Sequence, residues 1–244
     1  MAEIERLRAI RAAELSPLRE LARRPKVLPN LGELVVRVAD ATEAAPVLAH
    51  FHYLRSVRQD SIFVGAFYKG QLAAVCSVSP LDLPSVIEQL PIANSEQGAV
   101  ISRVFAFDWA PQNIISYLLA RTERSHLAVR EDVRILLTYL NPNMGFTGAS
   151  YRAANWMTVG HETGTRYAYL NGRYITDRQA NALAPEVRPE VRYSRMPLLP
   201  LALLCRTLDK SLRAVEPGGF RFVIPRQDPA AYAAFNRPGN LGTT

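Results

Sequence analysis

Four consecutive segments between residues 100 and 156 constrain the fold of this 244-residue chain more than any other feature. Their apolar spacing predicts a strand, a helix, a second strand and a short helix, at residues 100–107, 111–125, 133–139 and 147–156. Two apolar runs precede them, at 62–68 and 71–79, and Lys69-Gly70 between them is typical of a tight antiparallel turn. A strand–helix–strand unit next to a hairpin predicts a mixed α/β sheet flanked by helices, and not a doubly wound parallel sheet.

Weaker patterns complete the predicted organisation. They indicate strands at 34–38, 167–170 and 173–176, and helices at 42–53, 84–90 and 200–214. Spaced leucines and isoleucines with arginines between them predict an amphipathic helical appendage over residues 1–33. The sheet domain is then expected to span residues 34–185, followed by an extension rich in arginine and proline at 186–244.

Charge and hydropathy narrow the classes of protein that the chain can belong to. The 29 Lys and Arg against 22 Asp and Glu give a formal net charge of +7. Such an excess favours an anionic partner, such as nucleic acid or a phosphorylated cofactor, although a solvated basic surface fits the same number. No apolar run is long enough to span a membrane and the first residues are charged throughout, which predicts a cytoplasmic protein. Cys76 and Cys205 lie in apolar runs without metal-binding spacing, so both are expected to be reduced and buried.

Three residues carry groups that can do chemistry. Arg103 interrupts an apolar strand, and a buried guanidinium is costly unless it is paired, so it is expected to meet a carboxylate, a phosphate or a substrate group. His52, near the end of a predicted helix, can be a general base, a metal ligand or a half-buried structural residue. Tyr151 can protonate a leaving thiolate or position a carbonyl, or it can be a core tyrosine.

Polar residues at the ends of predicted elements are candidates for binding. Asn113 and Ser116 lie in the first turn of the helix after the central strand, where backbone N–H groups favour an anion. Simple helix capping explains them equally well. Asn141 begins a loop rich in Asn, Pro and Gly, and its amide can hydrogen-bond a base edge or a carbonyl.

Aromatic and basic residues are candidates for contact with nucleic acid. Trp109 can stack on a base, or it can pack in the core. Arg192, Arg195 and Arg206 belong to a basic C-terminal region that can contact phosphates without sequence specificity. Solvation of a proline-rich tail is the alternative explanation for these arginines.

Several short motifs occur in an order and spacing that resemble a known family. They are His52-Tyr53, Ser77 to Pro80, Arg103-Val104-Phe105, Pro111-Gln112-Asn113 with Ser116, Tyr139 to Gly148, and Tyr151 to Trp156. Together they resemble the Mom-type DNA-modification proteins, a divergent branch of the GNAT acyltransferase superfamily that alters adenine in phage DNA. The Tyr-Arg-Ala-Ala-Asn-Trp stretch is also similar to DruA-type proteins of anti-phage systems.

The resemblance implies a GNAT-like fold and an enzyme that places an acyl-type group on a nucleobase amine, with adenine in DNA as the expected substrate. It implies a site lined by His52, Tyr53, Arg103, Asn141 and Tyr151. It also implies a donor, acyl-CoA or a related compound, for which Asn113 and Ser116 are the binding candidates. The resemblance is also compatible with bound iron and with a homodimer.

Two departures from the family pattern affect these expectations. Asn141 stands where the Mom pattern has an acidic residue, which removes an anionic ligand or base. Trp109 to Asn113 replaces the glycine-spaced phosphate loop of ordinary GNAT proteins, which speaks against ordinary acetyl-coenzyme A use. Two other interpretations stay open: an N-acyltransferase that modifies a small amine or a protein, and a non-catalytic, DruA-like DNA-binding component of a defence system.

Overall fold

A computed structural model of the chain describes residues 24–81, 84–87, 90, 92–127, 130–162, 168–171, 173–175, 180, 183–193 and 201–209. Most of the predicted appendage at 1–33 lies outside these residues, as do Arg195 and the chain from residue 210 onward. The predictions made for those segments therefore stay predictions.

The described strands form two sheets. They are β1 (Val35–Ala39), β2 (Ile62–Tyr68), β3 (Gln71–Pro80), β4 (Gly98–Ala106), β5 (Ile135–Leu140), β6 (Met157–Glu162), β7 (Ala168–Leu170), β8 (Arg173–Ile175), β9 (Arg192–Tyr193) and β10 (Leu201–Thr207). Seven of them form a large sheet in the order β1-β2-β3-β4-β5-β10-β6, and β8-β7-β9 form a small one. In the large sheet β4 and β5 are parallel and the other described pairs are antiparallel. The predicted mixed, largely antiparallel sheet is therefore confirmed.

Helices cover both faces of the large sheet. They are α1 (Ala41–Phe51), α2 (Pro84–Ile87), α3 (Ile114–Leu127) and α4 (Ala149–Ala153). Along β2, Phe63 belongs to the same buried cluster as Leu48 of α1, whereas Val64 belongs to the cluster that contains Leu118 of α3. Because successive strand residues point to opposite faces, α1 and α3 lie on opposite sides of the sheet.

The predicted helix at 200–214 is wrong where the structure describes it. Leu201–Thr207 is strand β10, which pairs with β5 on one side and with β6 on the other. Its Leu-Ala-Leu-Leu-Cys run is buried on both faces. Such a run lacks the alternation that distinguishes a strand from a buried helix. Part of the predicted C-terminal extension is thus an internal strand of the large sheet.

The parallel pair β4–β5 comes apart halfway along β4. Its register begins at Gly98 with Ile135 and ends at Ile101 with Thr138. Both strands continue beyond this point, β4 to Ala106 and β5 to Leu140. Their C-terminal halves therefore line a gap in the sheet.

A β-bulge lies where the two strands separate. On its other side β4 pairs with β3, through Ile101 with Val78 and then Arg103 with Ser77. Ser102 is the extra residue between these two pairs. A bulge bends its strand and increases the local twist, which explains why β4 turns away from β5 here.

The core is apolar, and both thiols lie inside it. Cys76 and Cys205 are free and buried, as predicted. Within the described part of the chain, no helix is long and apolar enough to cross a membrane.

Candidate active site

A cavity of about 550 Å³ fills the gap between the diverging halves of β4 and β5. Its wall consists of Ile101 to Ala106, Thr138 to Leu140, the end of α1, Ile115 of α3 and the segment 144–151. This volume is typical of small-molecule sites. Arg103 is the charged side chain of this wall, and no Asp or Glu is among the described residues that form it.

Four of the five predicted catalytic residues meet in this cavity. His52, Tyr53, Arg103 and Tyr151 all line it. Asn141, the fifth, is 9% exposed at the end of β5 and is not part of the wall. Its carbonyl accepts a hydrogen bond from the Met144 N–H at 3.2 Å, which starts a short helical turn. Asn141 is thus placed to shape the loop beside the cavity.

His52 ends α1, and its ring is oriented by the backbone that follows. Its backbone N–H donates to the carbonyl of Leu48 at 3.2 Å, and its Nδ1 accepts from the N–H of Leu54 at 3.2 Å. A neutral imidazole has one protonated nitrogen, so this contact puts the proton on Nε2. The ring is then a hydrogen-bond donor at Nε2, and the general-base role, one of three that the sequence leaves open, stays a prediction.

Tyr151 lies on α4, which begins after Gly148, a residue with a left-handed φ of 76°. The Tyr151 hydroxyl is 3.5 Å from Oγ1 of Thr138, which in turn is 2.9 Å from the carbonyl oxygen of Ile101. Burial raises the pKa of Tyr151 far above its ordinary value. The phenol therefore keeps its proton at neutral pH and presents a donor to the cavity.

Arg103 connects the bulged strand to the loop after α1. Its Nε donates to the Ser56 carbonyl at 2.8 Å, and one terminal nitrogen donates to Ser56 Oγ at 3.1 Å. The other terminal nitrogen donates to the Ser102 carbonyl at 2.6 Å. These bonds hold the loop of residues 52–61 against β4, and they keep the guanidinium in the cavity wall.

Asn113 and Ser116 lie at the start of α3, outside the cavity wall. Ser116 Oγ donates to the Asn113 carbonyl at 3.0 Å. Ile115, between them, does line the cavity. The first turn of α3 therefore borders the cavity, and a role of this turn in binding a donor stays a prediction.

The structure has a different consequence for each of the predicted nucleic-acid contacts. Trp109 is 2% exposed and stacks on Phe107, with ring centroids 5.8 Å apart. This burial keeps Trp109 from stacking on a base and corrects that prediction. Arg206 is paired with Glu123 at 2.8 Å, which removes it from the expected basic stripe. Arg192 is exposed on β9, so its predicted contact with phosphate remains open.

The described residues do not provide a ligand set for iron. Nowhere among them do three His, Cys, Asp or Glu side chains come close enough to hold a metal ion. His52, the candidate ligand, already uses Nδ1 to accept the Leu54 N–H. The iron that the family resemblance allows therefore finds no support in the described residues.

Sequence patterns missed several residues of the cavity wall. Ser102 and Thr138 line it, as does Phe146, which is 46% exposed and packs on Tyr53 with ring centroids 5.7 Å apart. An aromatic residue within an Asn-, Pro- and Gly-rich loop is a signal that could have identified Phe146. Ser102 has its position because of the bulge, which no motif marks.

Comparison with protein families identifies the chain. A family model described as the Mom protein family matches residues 33–227, which is 195 of the 244 residues. The chain belongs to the Mom protein family. The match extends well beyond the predicted domain end at residue 185 and includes strand β10 of this Mom-family chain. A comparison with curated proteins gives no significant match.

Solved structures similar to this Mom-family chain include several acetyltransferases. One is the N-acetyltransferase from Staphylococcus aureus Mu50, at 12% identity over 72% of this chain and 99% of that chain, with a TM-score of 0.47. Another is a Salmonella typhimurium acetyltransferase that modifies the N-terminal serine of ribosomal protein L7/L12, at 17% identity over 75% and 99% of the two chains, with a TM-score of 0.44. Likeness at these values carries no information on the substrate.

Proposed function

We propose that this Mom-family chain is a transferase that places an acyl-type group on the exocyclic amine of a nucleobase, with adenine in DNA as the substrate. The charge of the cavity wall is the observation that carries the proposal. An alkyl amine is a cation at neutral pH, since its pKa is about 10.4, and it needs a carboxylate nearby to hold the cation or take its proton. The described wall has Arg103 and no Asp or Glu, so it has no such carboxylate. The amine of a nucleobase is neutral at pH 7 and needs none.

Two donors on the wall suit acyl transfer. The Tyr151 phenol stays protonated, and His52 carries its proton on Nε2. Such donors stabilise the oxygen of an acyl group as negative charge develops on it. The amine nitrogen attacks the acyl carbon and loses a proton to solvent, and the bond from that carbon to the leaving group breaks. Tyr151 supplies the leaving group with a proton and takes one back from water.

Other features support DNA as the carrier of the base. The net charge of +7 favours a polyanion. Enzymes that act on a base in a duplex must extrude it and hold it against aromatic side chains. Phe146, exposed beside Tyr53 at the cavity, is the kind of side chain on which an extruded base stacks. The resemblance to Mom-type DNA-modification proteins points the same way.

Mass spectrometry of DNA nucleosides tests the proposal. Cells that express the full chain are expected to contain an adenine nucleoside of increased mass, and Tyr151→Phe is expected to lower its amount about 100-fold or more, because proton transfer contributes on that order. Tyr193→Phe is the matched control, since Tyr193 is exposed on β9, is not among the residues that line the cavity, and should leave the product unchanged. Unmodified nucleosides in cells with the wild-type chain would overturn the proposal.

A second candidate is an N-acyltransferase that uses acyl-CoA on a small amine or a protein. The size of the cavity, about 550 Å³, favours it as much as it favours a base. Acylated amines or peptides formed by the purified chain from acetyl-coenzyme A, with DNA left unmodified, would support this second function.

A further inference from the structure

We propose that a row of serine hydroxyls, formed by Ser102, Ser79 and Ser61, carries away the proton that the amine releases. The row leads from the cavity of about 550 Å³ described above, called the main cavity from here on, to a second cavity. The inference rests on the proposed acyl transfer, because that reaction must remove a proton from the amine nitrogen. The described wall of the main cavity has no carboxylate to receive this proton. His52 cannot receive it at Nδ1, which already accepts the Leu54 N–H.

The row begins in the wall of the main cavity and crosses a buried layer of the sheet. Ser102 lines that cavity, and its Oγ is 2.6 Å from Oγ of Ser79. Ser79 Oγ is 2.9 Å from Oγ of Ser61, which donates to the Arg58 carbonyl at 2.7 Å. Ser79 is 2% exposed, so the bonds in the middle of the row are shielded from bulk water. All three distances are those of good O–H···O hydrogen bonds.

The β-bulge is what makes the row continuous. Ser77 and Ser79 are two residues apart on β3, so their side chains lie on the same face of the sheet. Ser102 is the extra residue of β4 opposite this part of β3, and its Oγ contacts both Ser77 Oγ, at 3.2 Å, and Ser79 Oγ. Without the bulge, pairing with β3 would leave no additional side chain here to join the two serines to the cavity.

A second cavity, of about 330 Å³, lies at the other end of the row. Ser79 lines it, together with Asp60, Glu96 and Asp132. Those three acidic residues are exposed, so the cavity offers carboxylates in contact with water. Residues on both sides of Ser61 line this cavity as well. Arg130 lines this cavity too and pairs with Asp132. The row thus joins a cavity without a described carboxylate to one that has three, of which Asp60 and Glu96 are not in that pair.

The hydrogen bonds can point one way along the whole row. Ser61 donates to the Arg58 carbonyl, which leaves Ser79 to donate to Ser61 and Ser102 to donate to Ser79. A hydroxyl has two lone pairs, so Ser102 can accept from Ser77 and from one further donor. The amine of a base in the main cavity is the donor that this position fits.

The proton step then balances without another reactant. As the bond from nitrogen to the acyl carbon forms, the N–H bond breaks and its proton goes to Ser102 Oγ. Ser102 passes its own proton to Ser79, and Ser79, which lines the second cavity, releases one to water there. Each serine ends with the number of protons with which it began.

A matched pair of serine variants separates this role from a purely structural one. Ser79→Ala breaks the row, whereas Ser77→Ala removes an equally buried hydroxyl of the same network and leaves the row intact. The purified full chain would modify double-stranded DNA, with the small-molecule fraction of the expressing cells as the donor source. We expect Ser79→Ala to lower the rate about tenfold or more, and to recover part of it as pH rises because hydroxide then takes up the proton.

Both variants are expected to lower the melting temperature by similar amounts, and Ser77→Ala is expected to keep a rate within about twofold of wild type. Equal rates for the two variants, or a loss in Ser79→Ala that does not change with pH, would overturn the relay and leave the transferase intact. A wild-type chain that modifies no DNA in this assay or in cells would remove both proposals.

Discussion

Cys76 and Cys205 are the two thiols of the chain, and they lie in different parts of the core. Cys76 belongs to the cluster that includes Leu118 of α3, and Cys205 to the cluster around Val100 and Leu137. Burial raises the pKa of each thiol to about 12. Both thiols therefore stay protonated in the folded chain at any pH that a cell reaches.

The raised pKa values predict a loss of stability at alkaline pH. Well below pH 9, near pH 7, the thiols are protonated in the folded and the unfolded chain alike, so they add no pH dependence there. From pH 9 to about 12 only the unfolded thiols ionise, and each is expected to lower the free energy of unfolding by about 1.4 kcal/mol per pH unit. Urea unfolding between pH 8 and pH 10.5 measures this slope.

The double variant Cys76→Ala, Cys205→Ala is the control for that slope. It is expected to be less stable at pH 8 because of the volume removed from the core, but to lose stability less steeply as pH rises. Parallel pH profiles for the variant and the wild type would contradict the assignment of raised pKa values to these thiols.

Single residues show what the sequence could and could not predict about the site. His52, Tyr53, Arg103 and Tyr151 were predicted from short motifs, and the fold brings all four to one cavity. The proton position on His52 could not be predicted, because it depends on a backbone N–H two residues later in a turn.

At the scale of elements, Arg206 ties strand β10 to helix α3. Its guanidinium donates to both carboxylate oxygens of Glu123, at 2.8 and 3.2 Å, and to the carbonyl of Asn155 at 3.2 Å. The two side chains are 18% and 13% exposed. A pair this shielded holds the elements in register, because either charge left alone would be poorly solvated.

Glu123→Gln is expected to destabilise the chain by about 2 to 4 kcal/mol, because it leaves the Arg206 charge largely buried without its partner. Asp132→Asn is the matched control, since the Arg130–Asp132 pair is exposed and such pairs contribute about 0.5 kcal/mol. Chemical denaturation of both variants at pH 7 compares them. Similar losses of stability in the two variants would show that the Arg206–Glu123 pair contributes no more than an exposed ion pair.

Elements with a clear local signal were the ones that the sequence predicted well. The β2–β3 hairpin lies within a residue of its prediction because Lys69-Gly70 provides the left-handed backbone that the turn needs. The apolar run of β10 has no period of two, so its sequence predicts a helix where the fold has a strand. The bulge at Ser102 has no local signal at all, and the site depends on it.

At the scale of the whole molecule, β10 makes the C-terminal region part of the fold. We expect a chain cut after Tyr193 to lose cooperative unfolding, because β5 and β6 then lack the strand that lies between them. A chain cut after Asp209 keeps every described strand and is expected to unfold cooperatively. Circular dichroism during heating measures both. A similar transition in the shorter chain would contradict the central position of β10.

The position of β10 in the sequence also determines how long the large sheet lacks a strand while the chain is being synthesised. Forty-five residues separate Glu162, the end of β6, from Thr207, the end of β10. At about 5 to 20 residues per second, synthesis of that interval takes about 2 to 9 seconds. During this time the facing edges of β5 and β6 present N–H and C=O groups that neighbouring chains can pair with. Slow codons between these two strands are therefore expected to increase co-translational aggregation, while slow codons after residue 209 are not.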